Sequence, residues 1–249
     1  MLTLDQVKLK SKSRLVGLQP AVLAATNALI ERSYSRGVPI VITQGLRTKA
    51  EQNALYAKSR TQEQLNAVGL SHVKAQPKEK WVTNAIGGSS NHNYGLAIDF
   101  ALLLPNGSSV SWDMLRDGDG DKVKDWNEVV EEAKALGFFW GGDFESIFDG
   151  PHFEMTFGLS IKQLQAGAQP TETQTAKVLA QIERYLKEAN DVRVDKAGTV
   201  VNGNRLAAES VLIEGRVYVP LAAIGEAIGA QVEWNNISKT ATLTTKETK

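Results

Sequence analysis

The sequence predicts an α+β fold on three observations. Helical and strand-like stretches are mixed along the chain without the strict alternation that builds a parallel sheet. The segment "LAIDFALL" alternates as a strand, with Leu96, Ile98 and Phe100 pointing one way and Ala97, Asp99 and Ala101 the other. The segment "HFEMTF" does the same, setting Phe153, Met155 and Phe157 against His152, Glu154 and Thr156. A chain of 249 residues, 42% hydrophobic and 22% charged, has ordinary globular composition and length for one large domain or two unequal ones.

After Pro20, the residues Val22, Ala25, Leu29 and Ile30 recur at helical spacing, and Gly37 suits the position just past the helix end. "VPIVIT", Val38 to Thr43, follows as a short buried strand. "TKAE", Thr48 to Glu51, fits a capping box that opens a helix running to about Lys58. Ser59 to Lys80 is polar and weakly patterned, a long loop or short helix near the surface. Trp126, Val129, Val130, Ala133 and Leu136 form a helical stripe that ends at Gly137.

From Leu159 to Pro170 the composition turns to Gln, Ala, Gly and Thr, and "TQTAKVLAQIERYLKEAN" reads as one amphipathic helix, a linker or tether. A second small unit begins near Val194. In it "VVNGNRL" carries an Asn-Gly hairpin, "GRVYVPL" is a strand ending at Pro220, and "LAAIGEAIG" is a short helix closed by Gly229. "QVEWN" and "KTATLTT" are its last strands. The expected organisation is a first domain over 1–160, a linker with a helix over 161–194, and a small domain over 195–249.

Lys+Arg and Asp+Glu both number 28, so no global field favours nucleic acid or an anionic membrane as partner. The absence of cysteine excludes disulfides, thiolate zinc sites and cysteine nucleophiles. The N-terminal stretch lacks the apolar core of a signal peptide, and no later segment approaches a membrane span. These features lead us to expect a protein made in the cytoplasm and kept there unless another device releases it.

Three histidines carry the chemical question. His92 sits in the Ser/Asn/Gly-rich turn "SSNHNYG", seven residues before Asp99, whose carboxylate is set in an apolar strand. A buried carboxylate is costly unless it is paired or holds a metal. His152 lies far along the chain but has a similar setting, directly after Gly150-Pro151 and opening a strand. His92, Asp99 and His152 together make a His/Asp/His set of the kind zinc takes in catalytic sites, with a fourth position left for water. His72, in the unpatterned stretch, reads as solvated or as a minor substrate contact. A hydrolytic site also needs a general base. Asp149 stands three residues before His152 and Glu154 two residues after it; either serves as the base or as a partner orienting an imidazole, and spacing does not choose between them.

At this point the residues resemble a family. "SNHNYGLAID" fits the S-x-H-x-x-G-x-x-x-D signature of the metallopeptidases that group lysostaphin, D-Ala-D-Ala peptidases and hedgehog-type domains. "DGPHFE" resembles their second signature, with an acid three positions before the last histidine. "KSRLVGLQP", "ITQGLRTKAEQNALYAKSRT" and "WGGDFESIFDGPHFEM" are similar to the L-alanyl-D-glutamate peptidase branch of phage endolysins and bacterial wall hydrolases; the resemblance spans roughly residues 10–158. It implies a mainly antiparallel central sheet flanked by helices, with zinc on His92, Asp99 and His152. It also implies Asp149 as the base and Arg47, in "GLRT", as the cation facing the oxyanion of the transition state. Ser90, Tyr94 and Gln52 are the candidate substrate contacts. The implied activity is hydrolysis of the L-Ala–D-Glu bond of peptidoglycan, by an endolysin acting at the wall after release by a membrane-breaching partner such as a holin. The alternatives are a D-Ala-D-Ala-type carboxypeptidase and a non-catalytic wall-binding protein stabilised by metal.

Two further features stand apart. In "DGDGDKVKDWNE" the carboxylates of Asp117, Asp119, Asp121, Asp125 and Glu128 fall at positions one, three, five, nine and twelve, the ligand spacing of a calcium loop, though Lys122 replaces the usual glycine at position six. Residues 199–245 resemble the small repeat named after the copper amine oxidase N-terminal domain. That resemblance implies an accessory unit with wall binding as one role, and no copper, since this stretch has no His, Cys or Met.

Overall fold

The computed structural model describes residues 2–190, 195–213 and 216–245. The chain divides into two units, Met1–Leu186 and Lys187–Lys249.

The first unit opens with α1 (Leu4–Ser11) and α2 (Pro20–Ser35), followed by strand β1 (Ile40–Gln44), α3 (Lys49–Tyr56) and α4 (Gln62–Ala67). Next come β2 (Ala97–Leu103), β3 (Val110–Ser111), α5 (Asp125–Ala135), β4 (Phe139–Trp140), β5 (His152–Glu154) and α6 (Ile161–Gln165). Helix α7 (Glu172–Asn190) starts within this unit. The expected α+β architecture is present: the sheet runs β1-β2-β5-β4, with β3 on the far end of β2, and every pairing is antiparallel.

Local chemistry explains the boundaries. Thr48 and Glu51 form the reciprocal capping box expected of "TKAE", satisfying two amides at the head of α3. That helix stops at Tyr56, slightly short of Lys58. Gly37 and Gly137, with φ of 90° and 95°, terminate α2 and α5 in the left-handed region that costs glycine nothing. The polar stretch from Ser59 to Lys80 contains α4, held by a second capping box from Thr61.

The core gathers Ala25, Leu29 and Ile30 of α2, Ile40 and Ile42 of β1, Ile98 and Phe100 of β2, and Trp126, Val129 and Ala133 of α5. Phe153 joins it, its ring 5.0 Å from that of Phe100. Strand β5 is shorter than the alternation in "HFEMTF" predicts. It ends at Glu154, and Phe157 turns at φ 55°, although Met155 remains buried. The helix expected as a tether lies instead against the first unit's core through Val178, Ile182, Tyr185 and Leu186. Tyr185 Oη donates to the buried Glu132 of α5 at 2.7 Å.

The second unit contains β6 (Asp195–Ala197), β7 (Val200–Val201), β8 (Asn204–Arg205), β9 (Ser210–Ile213) and β10 (Arg216–Tyr218). Helix α8 (Leu221–Ala227) and the hairpin of β11 (Gln231–Asn235) with β12 (Thr240–Thr244) complete it. The Asn-Gly turn is present between β7 and β8, with Asn202 and Gly203 at φ 49° and 83°. Val194, where this unit was expected to begin, and Gly215, at the head of "GRVYVPL", lie outside the described residues. Among the described residues no helix is long and apolar enough to cross a membrane.

Candidate metal centre and cleft

Strand register builds the centre. Asp99 of β2 pairs directly with His152 of β5, so both side chains leave the same face of the sheet. His92 reaches that face from the single helical turn Asn91–Tyr94. The turn closes at Gly95, whose φ is 67° and whose added Cβ would lie 2.4 Å from the Gly17 carbonyl oxygen. Two motifs sixty residues apart are thereby brought to one point.

The geometry there is tight. His92 Nε2 stands 3.2 Å from Asp99 Oδ1 and 3.2 Å from His152 Nδ1, and Asp99 Oδ1 is 3.3 Å from His152 Nδ1. Each imidazole is held by its other nitrogen. His92 Nδ1 donates to the carbonyl oxygen of Gly45 at 2.9 Å, because a carbonyl can only accept. His152 Nε2 meets the Glu154 carboxylate at 3.0 Å, and Asn91 Nδ2 donates to the same oxygen at 2.8 Å. Both rings therefore turn their remaining nitrogen toward Asp99, where it can bind a metal once its proton is lost. Two imidazole nitrogens and one carboxylate oxygen, all within 4.8 Å of one another, form a donor set that fits zinc with a position open for a further ligand.

The electrostatics follow from the crowding. Burial opposes the charge on Asp99, yet His92 and His152 hold its carboxyl well below the usual carboxylate range. Burial also opposes a charge on His152, but hydrogen bonds to Asp99 and Glu154 outweigh it and push the imidazole up to about 9. Glu154 is lowered by His152 and Asn91 against the effect of its burial. Asp149 goes the other way: the surrounding protein and the Asp99 carboxylate raise it.

A cleft of about 260 Å³ opens over this cluster, lined by His92, Asp99, His152, Asp149, Arg47 and Ser90 among others. Asp149 faces it from the turn before β5, where Asp149 N donates to Gly141 O and His152 N to Asp149 O. Gly141 has to be a glycine here, since a Cβ would sit 2.5 Å from Asp149 O and 2.9 Å from His152 Cβ. Arg47 Nη2 lies 3.3 Å from Asp99 Oδ2, and its Nη1 donates to Gln52 Oε1 at 2.9 Å.

Not every expected contact reaches the cleft. Gln52, expected among the substrate contacts, is fully enclosed, with Oε1 on Arg47 and Nε2 donating to Ala85 O at 2.9 Å; it holds the guanidinium in place. Tyr94, expected beside it, packs on the core and spends its hydroxyl on Gly88 O at 2.8 Å, which fixes the loop. His72 is exposed and away from the cleft lining. The five acids of the second motif are brought together elsewhere: Asp117, Asp119 and Asp125 form one close group, and Asp119, Asp121 and Glu128 another.

Sequence reasoning missed the walls and the supports. Val82, Thr83 and Trp112 line the cleft from loops with no periodicity to read. Asn91 and the Gly45 carbonyl were accessible only by their position, one residue before His92 and at the end of β1.

Residues 83–155 match the family described as D-alanyl-D-alanine carboxypeptidase, and residues 200–249 match the one described as copper amine oxidase N-terminal domain. The chain is 45% identical over 138 residues to the peptidoglycan L-alanyl-D-glutamate endopeptidase CwlK of Bacillus subtilis (strain 168), covering 55% of this chain and 73% of that protein. It is 29% identical over 134 residues to the L-alanyl-D-glutamate peptidase of Listeria phage A118, covering 54% of this chain and 36% of that one. The crystal structure of the Serratia marcescens L-Ala D-Glu endopeptidase ChiX aligns with 59% of this chain and 87% of its own, at 23% identity and a TM-score of 0.37. With 45% identity across nearly three quarters of a relative, the chain belongs to the L-alanyl-D-glutamate endopeptidase family, among the D-alanyl-D-alanine carboxypeptidase-like peptidases.

Proposed function

We propose that this chain is a zinc-dependent endopeptidase that hydrolyses the L-Ala–D-Glu bond of peptidoglycan stem peptides. The observation that carries the reading is the His92–Asp99–His152 cluster, each ring backed on its far nitrogen, in a cleft that also holds Asp149 and Arg47. The substrate comes from the family: the two curated relatives carry that bond in their names.

His92 Nε2, His152 Nδ1 and an Asp99 oxygen would hold the ion. Zinc bound there supplies Lewis acidity for the scissile carbonyl and makes a water easier to deprotonate. Asp149 takes the proton of the attacking water. As the carbon–oxygen bond forms and the carbon–nitrogen bond breaks, it returns a proton to the leaving amine. Its place in the cleft lining beside the cluster suits a group that must both accept and donate a proton. Glu154 is a poor candidate for this step, because its Oε2 is engaged by His152 and Asn91; it serves instead to orient the His152 ring. Arg47, positioned by Gln52 and Asp99, offers its remaining guanidinium N–H groups to the oxyanion. Ser90 lies in the cleft wall and is assigned to binding, since both nearby histidines are occupied and none is left to activate it as a nucleophile.

The second unit is assigned as an accessory module that keeps the enzyme at the wall. Mass spectrometry of purified muropeptides after digestion tests the whole reading: fragments that begin at D-Glu support it, whereas release of terminal D-Ala would identify a carboxypeptidase.

A further inference from the structure

We propose that the segment from Asp117 to Glu128 is a calcium site that fastens one wall of the cleft to the core. The segment joins β3 to α5, and its five carboxylates occupy the one, three, five, nine and twelve positions of a twelve-residue loop. The fold converts this spacing into proximity. Oxygens of Asp117, Asp119 and Asp125 lie within 4.8 Å of one another, and so do those of Asp119, Asp121 and Glu128. Asp119 belongs to both groups, so the two adjoin, and Asp125 Oδ2 also pairs with Arg116 Nε at 3.3 Å.

An independent observation points to a missing ligand. Glu128 is only 3% exposed. Its Oε1 accepts from Arg36 Nε at 2.8 Å, but its Oε2 is enclosed with no hydrogen-bond partner among the described residues. A buried carboxylate oxygen without a donor is rare in folded proteins and calls for an ion or a bound molecule. Position twelve of a calcium loop supplies a carboxylate to the ion, and here Oε2 is the oxygen left for it, Oε1 being held by Arg36. Lys122, the departure at position six, is a departure in residue type alone: it adopts φ 76°, the left-handed conformation for which such loops use glycine. All-oxygen donors on a loop favour calcium over magnesium, which demands near-octahedral order and keeps its waters.

The consequence follows from what the loop connects. At its head Trp112 lines the cleft, and Met114 Sδ lies 3.1 Å from the position a Cβ would take on Gly150, in the turn that carries Asp149. At its tail Trp126 and Val129 are buried in the core. An ion held by both halves of the loop ties the wall to the helix. Binding does not depend on the proposed peptidase activity and is measured without it.

The experiment is calcium titration of the zinc-loaded full chain by calorimetry, paired with limited trypsin digestion at the exposed Lys122 and Lys124. The expected result is one calcium per chain with a dissociation constant between about 10 µM and about 1 mM, and cleavage after these lysines slowed about tenfold by calcium but not by magnesium. Asp119→Asn and Asp121→Asn change exposed side chains, so the fold is retained, and each weakens binding about tenfold or more. No binding up to about 10 mM calcium, or unchanged affinity in the doubly substituted chain, overturns the proposal.

Discussion

Asp99 and His152 are direct cross-strand partners on β2 and β5, and their Oδ1 and Nδ1 atoms stand 3.3 Å apart. The centre of the cleft is therefore a property of strand register. A slip of one residue would move one of the pair to the opposite face of the sheet. The same strand places Glu154 two residues on, pointing the same way and reaching the other nitrogen of the ring. This arrangement separates the two acids flanking His152 and makes their roles testable.

Glu154→Gln removes the charge behind His152 and leaves the cleft acid alone. It is expected to weaken zinc affinity by about 10–100-fold, with activity restored by excess zinc. Asp149→Asn is expected to do the reverse, keeping stoichiometric zinc and lowering kcat by about 10²–10⁴-fold. Equilibrium dialysis beside steady-state kinetics reads both; a zinc defect in Asp149→Asn would reverse the assignment.

Gln52→Ala tests the support of Arg47. The substitution strips a partner from a guanidinium whose Nε is already buried without one among the described residues. We expect a loss of about 1–3 kcal/mol in urea unfolding and a fall in kcat larger than any change in KM. Arg47→Lys is expected not to substitute, since one ammonium cannot bridge Gln52 and Asp99 in the fork geometry. A Gln52→Ala enzyme with normal kcat would show that Arg47 needs no such support.

Gly141→Ala places a Cβ against Asp149 O and His152 Cβ, both closer than ordinary contact. The turn has to shift, at about 1–3 kcal/mol. Because the shift displaces the proposed base, activity is expected to fall further than the lost stability explains. Activity measured well below the unfolding temperature checks this; full activity there would mean that the turn tolerates movement.

Away from the cleft, Glu132 gives a pH prediction. Its burial opposes the charge, but hydrogen bonds from Tyr185 and Arg32 outweigh this and lower its pKa. A depressed carboxylate contributes stability above its unfolded value near ~4.3, and that contribution is lost as pH falls through the folded value. Tyr185 moves upward to about 12, through burial and its bond to Glu132. Its contribution is present below ~10 and disappears as pH rises through the folded value. Tyr185→Phe is therefore expected to be less stable than the parent by about 1.5–3 kcal/mol near neutrality, with the gap narrowing below about pH 4 and above about pH 10. Urea unfolding across that range measures it, and a gap independent of pH would contradict the pairing.

Local features were the most legible part of the fold. The Thr48–Glu51 box, the glycines after α2 and α5, and the alternation around Asp99 each declare themselves within a few residues. The His92, Asp99 and His152 set could also be proposed, because unusual residues in apolar or turn settings stand out. What stayed hidden depends on distant partners. Whether Glu154 or Asp149 backs His152 turns on which ring nitrogen faces which acid, and spacing does not encode that. Gln52 looks like any polar helix residue until the loop at Ala85 closes over it. Helix α7 reads as a tether because its anchor, Glu132, lies 53 residues before Tyr185.

The central claim is metal-dependent cleavage of one bond, and end-group analysis of digested cell walls tests it most directly. Walls are treated with the zinc-loaded chain, with the chelated chain, and with the chelated chain after zinc is restored, and newly exposed amino termini are labelled and identified. The account predicts D-Glu termini in the first arm, none in the second, and their return in the third. D-Glu termini that persist at full yield in the chelated arm, or zinc-loaded protein that exposes none, would contradict it.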